Sequence, residues 1–328
     1  MVQNVEQVNT ARQLTGRRAS PPRAAARLSV WTRIRRAEWL QAYLYLLPAF
    51  AAIAVWVYRP VVTTLQLSFY QWNLLETTPK IAVGLDNYVQ LLTLPELGNA
   101  VRNTLIYIVG MMPFSVVLPL AIALLMQNVV GRMKAVYRSA IFTPMLMAPV
   151  VVATVWSWIM NPIGGVLNNG LHAAFGVAPI YWFRDGKLAI LGIIVITGWK
   201  LLGFSTLIFS AGLTNVNSEY LDAANVDGAS QWETIRYIIL PLLSPTILFM
   251  VMLSVLLSSQ WTFPLVNVLT QGGPLDATTN IYYLLYQFGF RNFNIGLSTA
   301  AAVLFFAVFG VLALAFTWLS DKLSFYDA

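Results

Sequence analysis

The run Leu297-Ser-Thr-Ala-Ala-Ala-Val-Leu-Phe-Phe-Ala-Val-Phe-Gly-Val-Leu-Ala-Leu-Ala-Phe-Thr-Trp-Leu319 contains no charged residue. As an α-helix rising about 1.5 Å per residue it reaches across the ~30 Å hydrocarbon core of a bilayer. A helix of this length on a soluble protein would need a polar face, and this one has none. Five more segments share its character, at residues 39–62, 105–129, 141–160, 188–213 and 238–257, the last running on toward Val266. Six membrane-spanning helices are therefore expected. Pro48, Pro113, Pro119, Pro144, Pro149, Pro241 and Pro245 fall in or near these segments. In lipid they predict kinks and close packing, because neighbouring helices must satisfy the carbonyls that proline frees.

Composition agrees with the bilayer as solvent. Of the 328 residues 58% are hydrophobic and 10% charged, whereas soluble domains carry about 25% charge. The net charge of +7 would raise nucleic acid as a partner in a soluble chain. Here Arg12, Arg17, Arg18, Arg23, Arg27, Arg33, Arg35 and Arg36 cluster just before the first apolar run, so anionic lipid is the expected counter-charge and no nucleic acid is expected. Residues 1–38 are too basic and too poor in apolar runs to pack, and are read as a disordered cytoplasmic tail that is retained before an uncleaved anchor. Residues 39–320 are expected to form one six-helix transmembrane domain and 321–328 a short cytoplasmic end. With the N-terminus inside, the tail, Arg132, Lys134, Arg138, Arg236 and Lys322 lie on the cytoplasmic side, against Arg59, Lys80, Arg102, Arg184, Lys187 and Arg291 outside. This asymmetry predicts both termini in the cytoplasm.

Several chemistries lack their residues. There is no Cys and one His, His172, so disulfides, thiolate metal sites, cysteine nucleophiles and multi-histidine centres are excluded, and no metal or catalytic residue is assigned. His172 is expected to be a solvated residue of an external loop at 161–187. Trp156, Trp158, Tyr181 and Trp182 are expected to anchor at the outer interface. Asp and Glu lie outside the spans, Glu38 marking an edge, which disfavours a stand-alone proton-driven carrier. Gly186-Lys187 is not part of a phosphate-binding loop, since Tyr181 and Leu188 stand where that motif needs Gly and Ser or Thr.

The segment between the fourth and fifth spans reads Glu219-Tyr-Leu-Asp222-Ala-Ala-Asn-Val-Asp227-Gly228-Ala-Ser-Gln-Trp232-Glu-Thr-Ile235-Arg-Tyr-Ile238-Ile-Leu240-Pro241. Apolar residues at helical spacing on both sides of Gly228 predict two short helices joined at that glycine. From periodicity alone, an interfacial connector is as good a reading as a functional element. Asp222-Ala223-Ala224, Asp227-Gly228-Ala229 and the apolar series ending at Pro241 resemble the EAA loop of permease subunits of binding-protein-dependent ABC importers. The usual leading Glu of that loop is Asp222 here. Trp199 to Leu213, Gly84 to Tyr88, and Leu269 to Pro274 with Thr278-Thr279 resemble the carbohydrate-uptake branch, which includes maltose-type and glycerol-3-phosphate-type permeases.

The resemblance implies an all-α type I importer permease in a bacterial or archaeal cytoplasmic membrane. It implies a non-catalytic subunit that binds no cofactor, with ATP and Mg held by two separate ATPase subunits. Further partners implied are a second, homologous permease and an extracytoplasmic solute-binding protein. Residues 215–241 are the implied coupling loop, with Asp222, Ala223, Ala224, Asp227, Gly228, Ala229, Trp232, Ile235 and Pro241 as its working residues. Its apolar teeth are expected to be Leu221, Trp232 and Ile235, and its charged face Glu219, Asp222, Asp227 and Glu233. The substrate pathway is expected to involve Lys200, Phe204, Ser259, Gln260 and Trp261. Lys200, deep in a span, meets either an anionic substrate or a backbone carbonyl or partner acid. The Ser258 to Thr262 cluster meets either sugar hydroxyls or neighbouring helices. A stand-alone carrier or channel is the alternative function.

Overall fold

The computed structural model describes residues 42–75, 77–127, 129 and 131–323. The basic tail expected at 1–38, the start of the first span and the chain beyond Leu323 lie outside the described residues. The chain divides between Val62 and Thr63 into two compact units. Helix α1, Ala42–Leu67, crosses that division.

After α1 come β1 (Tyr70–Gln71) and β2 (Ile81–Ala82), an antiparallel pair with Tyr70 opposite Ala82. The rest of the second unit is helical: α2 Asp86–Thr93, α3 Pro95–Gln127, α4 Arg132–Leu146, α5 Pro149–Ile159, α6 Val166–Phe175, α7 Gly186–Thr214, α8 Ser218–Val226, α9 Gln231–Thr234, α10 Ser244–Thr270, α11 Ile281–Tyr286 and α12 Ile295–Leu323. Among the described residues five helices, α1, α3, α7, α10 and α12, are each long and apolar enough to cross a membrane.

The span expected at 141–160 is not one helix. α4 and α5 meet at a 96° bend. Pro149 opens α5 and has no N–H for the carbonyl four residues earlier, and it drives Ala148 to an extended conformation (φ −60°, ψ 134°). The span expected at 238–257 is also displaced: α10 starts at Ser244, with Pro245 in the first turn, where its missing donor costs nothing. The external loop expected at 161–187 contains α6, and His172 lies exposed in its last turn with Nδ1 3.2 Å from the Val177 carbonyl.

Four of the other prolines lie beside a wider turn. Five π-helical turns interrupt the described helices, and four of them begin or end within two residues of Pro60, Pro113, Pro241 or Pro264. Widening the turn re-pairs the backbone around the missing donor and lets the helix continue.

α7 is the most buried span and packs against α3, α4 and α10. Glycines permit that approach. A Cβ on Gly203 would overlap the Ile141 carbonyl oxygen of α4, and one on Gly198 would overlap the Phe114 ring of α3. Small residues let membrane helices approach closely where no hydrophobic effect drives them together. A second cluster joins Leu91, Ala100, Ile281, Leu284, Phe288, Leu297, Ala301 and Phe305. The Gly84 to Tyr88 segment is a staple: Asn87 Nδ2 donates to the carbonyls of Ser68 (2.9 Å) and Tyr70 (3.1 Å), and Tyr88 Oη donates to Ser68 Oγ (2.7 Å).

Candidate functional site

The elbow between α7 and α10 is built from local caps. Asn217 Oδ1 accepts from the Glu219 amide at 3.0 Å and starts α8. At its other end Gly228 adopts φ +75°. There the Gly228 amide donates to the Asn225 carbonyl (3.2 Å) and the Ala229 amide to the Ala224 carbonyl (2.9 Å). This is a Schellman closure, which needs a left-handed residue and so favours glycine. Ser230 then caps α9: its Oγ accepts from the Glu233 amide (3.3 Å), while its own amide donates to the Glu233 carboxylate (2.8 Å). Ser230-x-x-Glu233 is a capping-box pattern that was legible in the sequence and was missed.

The bond from the Ser230 hydroxyl (2.6 Å), with that from the Ser230 amide, holds the Glu233 carboxyl below the ordinary glutamate range. A lowered folded-state value means that the bond contributes stability above the ordinary range, and that the contribution is lost as pH falls through the lowered value. Amide protection over residues 231–234, corrected for intrinsic exchange, is expected to be flat near neutral pH and to fall in acid. Ser230→Ala is expected to remove that acid transition.

The two faces of the elbow differ. Leu221 and Ile235 pack against a cluster of Ala123, Phe209, Leu213, Ile239, Leu243 and Met250 at the ends of α3, α7 and α10, and Ala224 is buried. The expected trio of apolar teeth is therefore split. Leu221 and Ile235 bind the elbow to its own bundle, whereas Trp232 stays 65% exposed. Helical spacing gave the apolar positions but not the side on which the bundle lies. Val226, 88% exposed, and Tyr220 and Tyr237 share the outer surface. Asp222, Ala223 and Asp227 are exposed, while Ala229 and Pro241 are half-buried. Glu233 points back to Ser230, so the expected acidic face is narrower by one residue. A recess of about 200 Å³, lined by Leu124, Gln127, Asn225 and Thr234, separates the elbow from the end of α3.

On the expected pathway, Lys200 is half-buried and its Nζ donates to the Met145 carbonyl at 3.3 Å. Four residues after Met145 stands Pro149, so this carbonyl lacks its helical donor and the lysine supplies one. Lys200 thus holds the broken end of α4. Phe204, one turn on, is half-buried. Ser259 is buried and directed at α3, its Oγ donating to Thr104 Oγ1 at 3.3 Å. Gln260 is exposed and Trp261 half-buried, packed on the same cluster as Met145 and Trp199. Trp156 meets Trp199 edge-on at 5.8 Å and Trp182 Nε1 donates to Asn168 Oδ1 at 3.3 Å, so of the expected anchors Trp158 is the tryptophan left exposed.

Lys200→Met is expected to lower the melting temperature of the solubilised chain, because a carbonyl left without a donor costs about 1–3 kcal/mol. Lys200→Arg should retain most of the stability in a thermal-shift measurement.

The segment after α10 folds back between α3 and α10. Thr278, Thr279 and Asn280 are fully buried. Asn103 Nδ2 donates to the Asp276 (3.0 Å) and Thr279 (2.9 Å) carbonyls, and Tyr107 Oη to the Thr278 carbonyl (3.1 Å). Asn280 Nδ2 donates to the Ser259 carbonyl (3.0 Å) and Thr262 Oγ1 (2.9 Å). Asn103 and Thr104 were missed because they precede the apolar run that begins at Leu105, and Tyr107 because it reads as part of that run. Their signal was polar side chains at helical spacing beside an apolar stretch.

Residues 96–324 match the family of the binding-protein-dependent transport system inner membrane component. The chain belongs to this family. Across 274 residues it is 34% identical to a probable ABC transporter permease protein of Pyrococcus horikoshii, covering 82% of this chain and 92% of that one. Across 228 residues it is 32% identical to the sn-glycerol-3-phosphate transport system permease protein of Agrobacterium fabrum, covering 69% of this chain and 76% of that one. A crystal structure of a bacterial ABC transporter that imports the acidic polysaccharide alginate superposes with a TM-score of 0.78 at 25% identity, covering 90% of this chain and 100% of that one. The matched part of this inner membrane component runs from α3 to the end of α12, and so includes the elbow and the folded-back segment. Among the described residues no group of three or more His, Cys, Asp or Glu is placed to hold a metal.

Proposed function

We propose that this inner membrane component is the permease subunit of an ABC importer for a carbohydrate, and that its elbow seats on a separate ATPase subunit. The observation that carries the reading is the two-faced elbow. Leu221 in α8 and Ile235 just after α9 pack on the ends of three spans, and Asp222, Asp227 and Trp232 are exposed. A rigid lever joined to the spans on one side and exposed on the other transmits a partner's motion to the membrane region. The chain supplies no P-loop lysine of its own, so ATP and Mg belong to the partner and this subunit is not the catalyst. Two ATPases, a second, homologous permease and an extracytoplasmic solute-binding protein complete the complex in the cytoplasmic membrane, with both termini inside.

Sugars, oligosaccharides and glycerol-3-phosphate are the substrate classes carried over from the relatives. Gln260 and Trp261 are the residues proposed to meet substrate, one by hydrogen bonds and one by its ring face. The test is purification of the tagged chain from native membranes in mild detergent, followed by assay of ATP hydrolysis with candidate sugars and their binding protein. A second permease and an ATPase in the complex, with hydrolysis stimulated by one sugar, are expected. The chain alone, from membranes that yield a control ABC complex intact, would return the stand-alone carrier to first place.

A further inference from the structure

Between the loop after α1 and the loop before α12 lies a pocket of about 350 Å³, within the size range of small-ligand sites. It sits where α12 begins, at the far end of α10 from the elbow. The Ile295 amide donates to the Trp72 carbonyl at 3.0 Å and ties the two loops together. Four carboxamides line it, those of Gln71, Asn73, Asn292 and Asn294, with the rings of Trp72 and Phe293.

Two of these amides are fixed through their oxygens by local bonds, and two carry no side-chain bond among the described residues. Asn73 Oδ1 accepts from the Leu75 amide (3.2 Å) and Asn294 Oδ1 from the Leu297 amide (3.1 Å), which fixes both side chains and leaves their N–H groups as donors. Gln71 and Asn292 make no side-chain hydrogen bond among the described residues. Trp72 Nε1 donates to the Leu75 carbonyl (3.1 Å) and Lys80 Nζ lies 4.4 Å from the ring centre, so the indole is held with one face covered. Phe293 has φ +51° and is 57% exposed. A bulky side chain in the left-handed region is strained, and here little burial offsets the strain.

Amide donors beside the half-buried Trp72 and the exposed Phe293 ring, with no carboxylate in the lining among the described residues, match the alternating hydroxyls and C–H face of a neutral pyranose. An extended protein segment would need a row of free backbone groups, and β1 and β2 have two residues each. We propose that this pocket is a saccharide-binding site, separate from the membrane path, that holds one neutral sugar ring. Its placement outside the cell rests on the proposed orientation of the elbow, and its chemistry does not.

The test uses the full-length chain in lipid nanodiscs and saturation-transfer NMR with maltose, trehalose and lactose. At least one sugar is expected to receive saturation. Asn292→Ala is expected to weaken that sugar about tenfold, as loss of one or two hydrogen bonds does. Phe293→Gly is expected to weaken it similarly while raising thermal stability, because glycine relieves the strained backbone. Gly98→Ala, exposed and with nothing within 4 Å of a new Cβ, should leave the signal in place. No signal from any of the three sugars, a signal unchanged in both pocket variants, or one lost only in Gln260→Ala would overturn the site. Loss of solute-binding protein association in Asn292→Ala, with the sugar signal unchanged, would overturn it in favour of a protein contact. Recovery of the ATPase with either pocket variant reads the importer assignment independently.

Discussion

Gly203→Leu is expected to abolish most of the folded protein. The helices α4 and α7 touch backbone to backbone at this glycine, where a Cβ would meet the Ile141 carbonyl and the Phe142 Cα. Neither atom is the end of a flexible side chain, so relief requires moving a helix. One turn away the same pair is held by the Lys200 to Met145 bond at 3.3 Å, which limits that movement. Overpacking in a close-packed core typically costs 1–3 kcal/mol, and a backbone clash lies at or above about 3 kcal/mol. Even Gly203→Ala should cause a clear fall in melting temperature by fluorescence-detected size exclusion. Gly98→Ala is the control: it lies exposed in α3 with nothing within 4 Å of a new Cβ, and should be neutral or slightly stabilising. Equal behaviour of the two alanine variants would show that the α4 to α7 contact does not organise the bundle.

Trp232→Ala is expected to uncouple the protein without unfolding it. The side chain is 65% exposed and lies outside the cluster that binds the elbow to the bundle. A tryptophan at the centre of a protein interface is worth about 2 kcal/mol or more, so ATPase association should weaken about thirtyfold. Membrane level and melting temperature should be unchanged. Gly228→Val separates lever geometry from contact area. Nothing lies within 4 Å of a Cβ at Gly228, so there is no clash, but valine at φ +75° carries a backbone penalty of at least 1–2 kcal/mol. The Schellman closure should open and α9 should lose its direction relative to α8. Transport of the preferred sugar should drop at least tenfold while the chain stays in the membrane. Normal transport by both variants would remove the elbow from the mechanism.

The class of fold was readable because lipid imposes one rule everywhere: long uncharged runs such as 297–319 have no other use. The ends of the spans were less readable. Proline ended a helix at Pro149 but was absorbed by π turns near Pro113 and Pro264, and sequence alone does not say whether a neighbouring carbonyl finds a donor. Lys200 shows why: its partner carbonyl lies 55 residues away in the chain. In the elbow, Gly228 was legible as a turn because only one backbone region demands glycine. The orientation of Leu221 and Ile235 was not, since helical spacing fixes a face but not what covers it. The pocket at Gln71 and Asn292 left no local mark, because its two halves are loops at opposite ends of the chain.

The chain has no Cys, so a single introduced thiol reports one position without background. The most direct test of the elbow as the ATPase seat is a Trp232→Cys variant, in native membranes that also contain the ATPase, treated with a short bifunctional thiol-to-amine cross-linker. A product whose mass is the sum of this chain and one ATPase subunit is expected, with ATP altering its yield as the lever moves. No such product from Trp232→Cys, together with one from Asn292→Cys at the other end of the bundle, would contradict the elbow as the point of coupling.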